Sequence, residues 1–156
     1  MTYNLKTSYK NVKFAYANRS TDVSLSAATF YNYSQYPLTS LSGSTGLQAT
    51  LSAGDIVLGD RVYHGFFYPQ ISTLGKIIVS VFINGTALVS QRTAIKEIDN
   101  TPISTGNITR AQPLFFTYIA TAGDVLSIKY YKVPGDTGTI LSETSGTNLF
   151  LMEVEK

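Results

Sequence analysis

The run Ile77-Ile78-Val79-Ser80-Val81-Phe82-Ile83 leads straight into Asn84-Gly85, and this pairing restricts the fold more than any other feature of the chain. Ile77, Val79, Val81 and Ile83 share one face of an extended strand, and Ile78, Ser80 and Phe82 share the other. Asn-Gly supplies two adjacent residues that accept positive φ, as a type I′ turn requires, so the chain reverses there into an antiparallel hairpin with "TALVSQ" running back. The same grammar recurs along the 156 residues: short apolar runs, divided by Gly, Pro, Asn and Asp, with no stretch that keeps apolar residues at helical spacing.

Several further strands follow from this pattern. One lies around Val12–Ala17 and another in "DVSLSAATFYNYS". "PLTSLSGSTGLQATLSAGD" is small and polar, and reads as a long surface loop or a meandering edge. "DIVLGDRVYHGFFYPQ" returns to strand composition. "KEIDNTPISTGN" reads as a polar loop, "QPLFFTYIATAGDVLSIKYYKV" as a second hairpin, "TILSE" as a short strand and "NLFLMEVEK" as the last one. Eight or more short strands without intervening helices give mainly antiparallel sheets, closed as a sandwich or jelly roll. The length favours one domain, residues 1–156, with the topology of residues 1–70 less defined than the rest.

Composition narrows the function. The chain is 44% hydrophobic and only 14% charged, and 11 Tyr and 8 Phe make up all its aromatics, which argues against disorder. Net charge is +2 with scattered Lys and Arg. The local excess in "LKTSYKNVK" suits a solvated strand edge, and no nucleic-acid motif accompanies it. With no Cys, disulfides and zinc–thiolate sites are excluded. No signal peptide and no apolar run of membrane-spanning length is visible.

Catalytic patterns are sparse. The single histidine, His64, sits among aromatics in "VYHGFF" and reads as a packed or surface residue. No G-x-S-x-G elbow, no H-E-x-x-H and no phosphate loop occurs, and no cofactor or metal is expected. Glu153 and Glu155 share a strand face and read as a solvated exit. Asp124, in "TAGDV", reads as a turn residue bonding nearby backbone amides, and Ala53-Gly54-Asp55 as a second corner of the same kind.

Many strands are apolar on both faces. Leu114, Phe116 and Tyr118 oppose Phe115 and Ile119, and Leu149 and Leu151 oppose Phe150, Met152 and Val154. In a two-layer sandwich each sheet turns one face to the core, so the other face needs a cover, and a neighbouring subunit is the leading choice. "TFYNYSQYP" crowds Tyr31, Tyr33 and Tyr36 beside amide side chains; its strand period reads first as Tyr31 and Tyr33 packed at a subunit seam, and the composition also suits a sugar or a protein partner.

Three pieces in order resemble the C1q/TNF-like jelly-roll family, in its microbial and phage versions, over roughly residues 74–155. "IIVSVFINGTAL" is similar to its central hairpin, "LFFTYIATAGDVLSIKYYK" to its strand–"aGD"–strand element and "TNLFLMEVEK" to its closing strand. The resemblance implies a non-enzymatic homotrimer packed through apolar strand faces, with Phe116, Tyr118, Tyr130 and Phe150 as interface candidates. It implies a virion or phage-tail module, made in the host cytoplasm, with other virion proteins as partners. The alternative is a module that binds a host glycan or receptor through Tyr31, Tyr33 and Tyr36 and the polar loops. Nucleic acid and membrane insertion are not expected.

Overall fold

A computed structural model describes residues 11–18, 34–36, 38–68, 70–72, 75–88, 95–100, 109–110, 113–132, 141–142 and 147–156. Among these residues there is no helix. The strands in chain order are β1 (Lys13–Asn18), β2 (Ser34–Gln35), β3 (Ser40–Gly43), β4 (Thr50–Ser52) and β5 (Asp55–Val57). Then come β6 (Val62–Phe67), β7 (Gln70–Ser72), β8 (Gly75–Ile83), β9 (Thr86–Ala87) and β10 (Ile95–Asn100). The last are β11 (Thr109–Arg110), β12 (Leu114–Ile119), β13 (Val125–Lys132), β14 (Leu141–Ser142) and β15 (Thr147–Val154).

Two sheets face each other. The first has the order β12-β6-β15-β1-β3. The second has β10-β8-β13-β5-β4, with β2 on β13 and β9 on β8. A small third sheet joins β11, β7 and β14. All of these pairings are antiparallel. The core lies between the two main sheets. Ala15, Ala17, Tyr63, Phe67, Leu114, Phe116, Leu149 and Leu151 point in from the first. Ile56, Val79, Val81, Ile83, Leu126, Ile128 and Tyr130 point in from the second. Gly65 is required here: a Cβ on it would stand 2.0 Å from Cζ of Phe116, whose ring lies over the β6 backbone.

The Asn-Gly turn forms as its residues dictate, with φ of 48° at Asn84 and 79° at Gly85. The returning strand is short, however, and pairs only Phe82 with Ala87 and Ile83 with Thr86. The rest of that edge of β8 is taken by β10, from Ile95 opposite Ser80 to Asn100 opposite Gly75. Residues 96–100, the start of the segment expected as loop, are therefore strand. Its polar sequence hides the fact that a nine-residue central strand has backbone donors and acceptors to satisfy on both edges. The polar stretch 38–54 does meander, placing β3 at the edge of one sheet and β4 at the edge of the other.

The expected second hairpin is not one. β12 belongs to the first sheet and β13 to the second, so the segment between them crosses the sandwich. The turn explains this. Asp124 N–H donates to Thr121 O at 3.0 Å, and of the two central residues only Gly123 has positive φ, at 96°. That is the type II pattern, whose twist splays the flanking strands instead of pairing them. At Ala53-Gly54 both residues have positive φ, 49° and 86°, and Ser52 pairs directly with Asp55, so this copy closes a tight β4–β5 hairpin. The two Ala-Gly-Asp copies are thus corners of different kinds. Residues 58–61 make the reverse crossing from β5 to β6 and lie beside the first corner. Leu58 N–H donates to Asp124 O, Gly123 N–H to Leu58 O and Ala120 N–H to Arg61 O, at 2.8–2.9 Å.

Candidate functional site

The outward face of the β12-β6-β15-β1 sheet is where the chain is most unlike a self-contained sandwich. Registers align its side chains in rows. Phe115 lies opposite Phe66, Phe66 opposite Phe150, and Phe150 opposite Tyr16, an aromatic row across four strands. The next row is Thr117, His64, Met152 and Phe14. Beyond it Ile119 faces Val62, and Val62 faces Val154. The rings touch: Phe66–Phe115 centroids are 5.0 Å apart, Tyr16–Phe150 5.2 Å and Phe14–Phe150 5.6 Å. Phe66 and Phe150 are half-buried by this packing, but the face around them is open to solvent, with Tyr16 46%, Phe115 48% and Ile119 67% exposed. Isolated apolar residues at a surface are ordinary, but a contiguous aromatic face marks a contact surface.

The candidate residues divide between this face and the core. Phe150 lies on the face, between Phe66 and Tyr16. Phe116 and Tyr130 do not: each is 4% exposed inside the chain's own sandwich and has almost no surface to offer another subunit. The choice of face along β12 has to be corrected. Leu114 and Phe116 point inward, while Phe115, Thr117 and Ile119 point out. Tyr118 is half-buried, and its hydroxyl donates to Asp124 Oδ2 at 2.9 Å. Tyr36 is a core residue, 1% exposed and edge-on to Phe67 at 5.3 Å, so it presents no ring to a ligand. Tyr31 and Tyr33 lie outside the described residues.

Phe14, Tyr16, Phe66, Phe115 and Ile119 were not among the sequence candidates. A signal for them existed. Thr117 falls on the same strand face as Phe115 and Ile119, and His64 on the same face as Phe66. A polar residue in an otherwise apolar alternation marks the outward side. On that face His64 Nδ1 stands 3.0 Å from Thr117 Oγ1, a hydrogen bond that fixes the ring.

Two polar clusters do structural work. Asp124 Oδ1 accepts from Asn84 Nδ2 at 2.7 Å, and Oδ2 from Thr121 N–H at 2.8 Å as well as from Tyr118. Asn84 Oδ1 in turn accepts from Val125 N–H at 2.8 Å. The carboxylate thus ties the sheet-crossing corner to the tip of the neighbouring hairpin. The Asn84 and Thr121 bonds hold its pKa below the usual carboxylate value, and burial followed by the Asp124 bond raises that of Tyr118.

The second cluster overturns the solvated reading of Glu153, which is 1% exposed and points into the sandwich. Its Oε2 accepts from Gln48 N–H at 2.8 Å and from the Tyr63 hydroxyl at 3.1 Å. Its Oε1 faces Arg61, with Nε 4.0 Å away. Gly59 N–H donates to the Tyr63 oxygen at 3.0 Å, and burial pushes that phenol far above its ordinary pKa. Among the described residues no three His, Asp or Glu side chains come together to hold a metal ion. No helix of the described residues is long and apolar enough to cross a membrane.

No family model and no curated protein matches the sequence. In three dimensions the chain is similar to a solved structure described as "Structure of Eiger TNF from S. frugiperda", with a TM-score of 0.53 and 13% identity. The match covers 93% of this chain and 92% of that one. At such identity the likeness speaks for architecture alone: the chain is an all-β, antiparallel sandwich with the TNF-like jelly-roll fold.

Proposed function

We propose that this chain is a single-domain, non-enzymatic jelly-roll module whose work is assembly, and that it assembles as a homotrimer. The observation that carries the reading is the outward row Phe115–Phe66–Phe150–Tyr16, exposed at its two ends and half-buried between them, with the exposed Ile119 and Phe14 beside it. Covering such a face removes apolar area from water at about 25 cal/mol per Å², and specific interfaces bury about 800 Å² per partner. The TNF-like fold supports a second copy as the cover, because the family that the sequence motifs resemble packs as trimers through this type of strand face. Phe150 stays an interface residue in this reading. Phe14, Tyr16, Phe66, Phe115 and Ile119 join it in place of Phe116 and Tyr130.

Sedimentation or light scattering tests it. A species of three times the chain's 17.0 kDa is expected. A stable monomer at micromolar concentration would sink the proposal. The setting we infer is a virion or phage particle, with other particle proteins as partners, and it rests on the resemblance of the three motifs. Its test is whether the chain co-purifies with such particles.

A further inference from the structure

We propose that His64 makes this self-association depend on pH, so that copies joined at neutral pH separate in acid. The inference rests on the assembly reading above and adds its regulation. His64 is the only histidine of the chain. It projects from the centre of the candidate assembly face, opposite Thr117 on β12 and Met152 on β15, with Val62 and Phe66 as its outward neighbours on β6.

The charges around it are few. From β12 the outward side chains are Phe115, Thr117 and Ile119, none of them titratable. From β15 they are Phe150, Met152 and Val154; Glu153 points to the opposite side, into the sandwich. From β1 they are Phe14 and the Tyr16 phenol, while Lys13 turns to Gly46 O. Tyr68, stacked on Phe66, adds a second phenol, and Arg61, just before β6, lies toward Glu153. Among the described residues no carboxylate shares the face, so no anion there receives an imidazolium.

The physical consequence has a definite sign. Neutral imidazole needs one donor and one acceptor satisfied, and Thr117 Oγ1 already engages Nδ1. Imidazolium presents Nε2–H as a second donor and carries a full charge. In a face covered by another copy that charge would be desolvated against aromatic rings, with no carboxylate of its own strand neighbours beside it, which is costly. A free chain can bind the proton in water, whereas the assembled chain excludes it. By linkage, association weakens as acid drives onto the free chain a proton that the assembled chain excludes, by at most about tenfold per pH unit for each histidine involved.

The experiment is sedimentation velocity on the full chain at about pH 8 and about pH 5 at constant ionic strength, for wild type, His64→Gln and His64→Phe, with circular dichroism confirming the fold at each pH. The expected result is a wild-type trimer at the higher pH that dissociates at least tenfold more readily at the lower, with both variants losing most of that difference. A wild-type trimer equally strong at both pH values overturns this proposal and leaves the assembly reading standing. Variants that dissociate in acid like the wild type also overturn it, because another group is then the sensor. A wild-type monomer at the higher pH removes both readings together.

Discussion

At Ala53 the backbone sits at φ 49°, a left-handed conformation that costs an alanine about 1 kcal/mol and a glycine nearly nothing. Ala53→Gly is therefore expected to stabilise the protein by about 0.5–1 kcal/mol, read as a higher urea midpoint with an unchanged slope. Gly65 is the opposite case. Gly65→Ala forces its new methyl into the Phe116 ring and is expected to cost about 1–3 kcal/mol or more. Asp124 gives the acid limb of stability a particular shape. Its pKa is lowered in the folded state, so the corner's bonds contribute in full above the ordinary carboxylate range and are lost as pH falls through the lowered value. Urea midpoints followed from neutral pH into acid should fall for wild type, while Asp124→Asn starts lower and falls less.

At the scale of elements, the two Ala-Gly-Asp corners show how little of a connection is written in the residues of the turn. One closes the β4–β5 hairpin; the other carries the chain from β12 in one sheet to β13 in the other. What differs is the first residue of the pair, with positive φ at Ala53 but not at Ala122. The same substitution is thus expected to act with opposite signs at the two sites. Ala53→Gly relieves strain, whereas Ala122→Gly only loosens the unfolded chain and should destabilise by about 0.5–1 kcal/mol; thermal unfolding of the pair measures the contrast. Period-two alternation made β1, β6, β8, β12, β13 and β15 legible from sequence. It could not reveal β10, a polar strand held by the open edge of β8.

For the whole molecule, neighbouring residues on β12 are expected to separate folding from the proposed assembly. Phe116→Ala empties part of the core and is expected to cost about 3–5 kcal/mol, losing cooperative unfolding or much of its midpoint. Phe115→Ser removes a ring that is half open to solvent. Its circular dichroism and urea midpoint should stay close to wild type while the sedimenting species shifts from trimer to monomer. Equal loss of fold in both variants would show that the outward face belongs to the chain's own stability.

By itself the sequence determined that this chain is built of short antiparallel strands without helices, and that several of them carry apolar residues on two faces. It also placed the Asn-Gly turn and assigned Asp124 to a corner. Only the tertiary structure decided which face of each strand meets the core. Where Leu114, Phe116 and Tyr118 alternate with Phe115 and Ile119, both sides are apolar enough to bury; Thr117 marks the outward side there, but on β15 the polar Glu153 lies on the inward one, so a single polar residue does not settle the choice. The choice falls to the fit between neighbouring strands: Phe116 has Gly65 opposite it on β6 and beneath its ring, and the Tyr63 hydroxyl has Gly59 and, on the paired strand β15, Glu153. Glu153 was misread as solvated for the same reason, since its partners are about a hundred residues away in the chain: Tyr63 reaches it only when β6 pairs with β15, and Gln48 only when the segment between β3 and β4 folds over it.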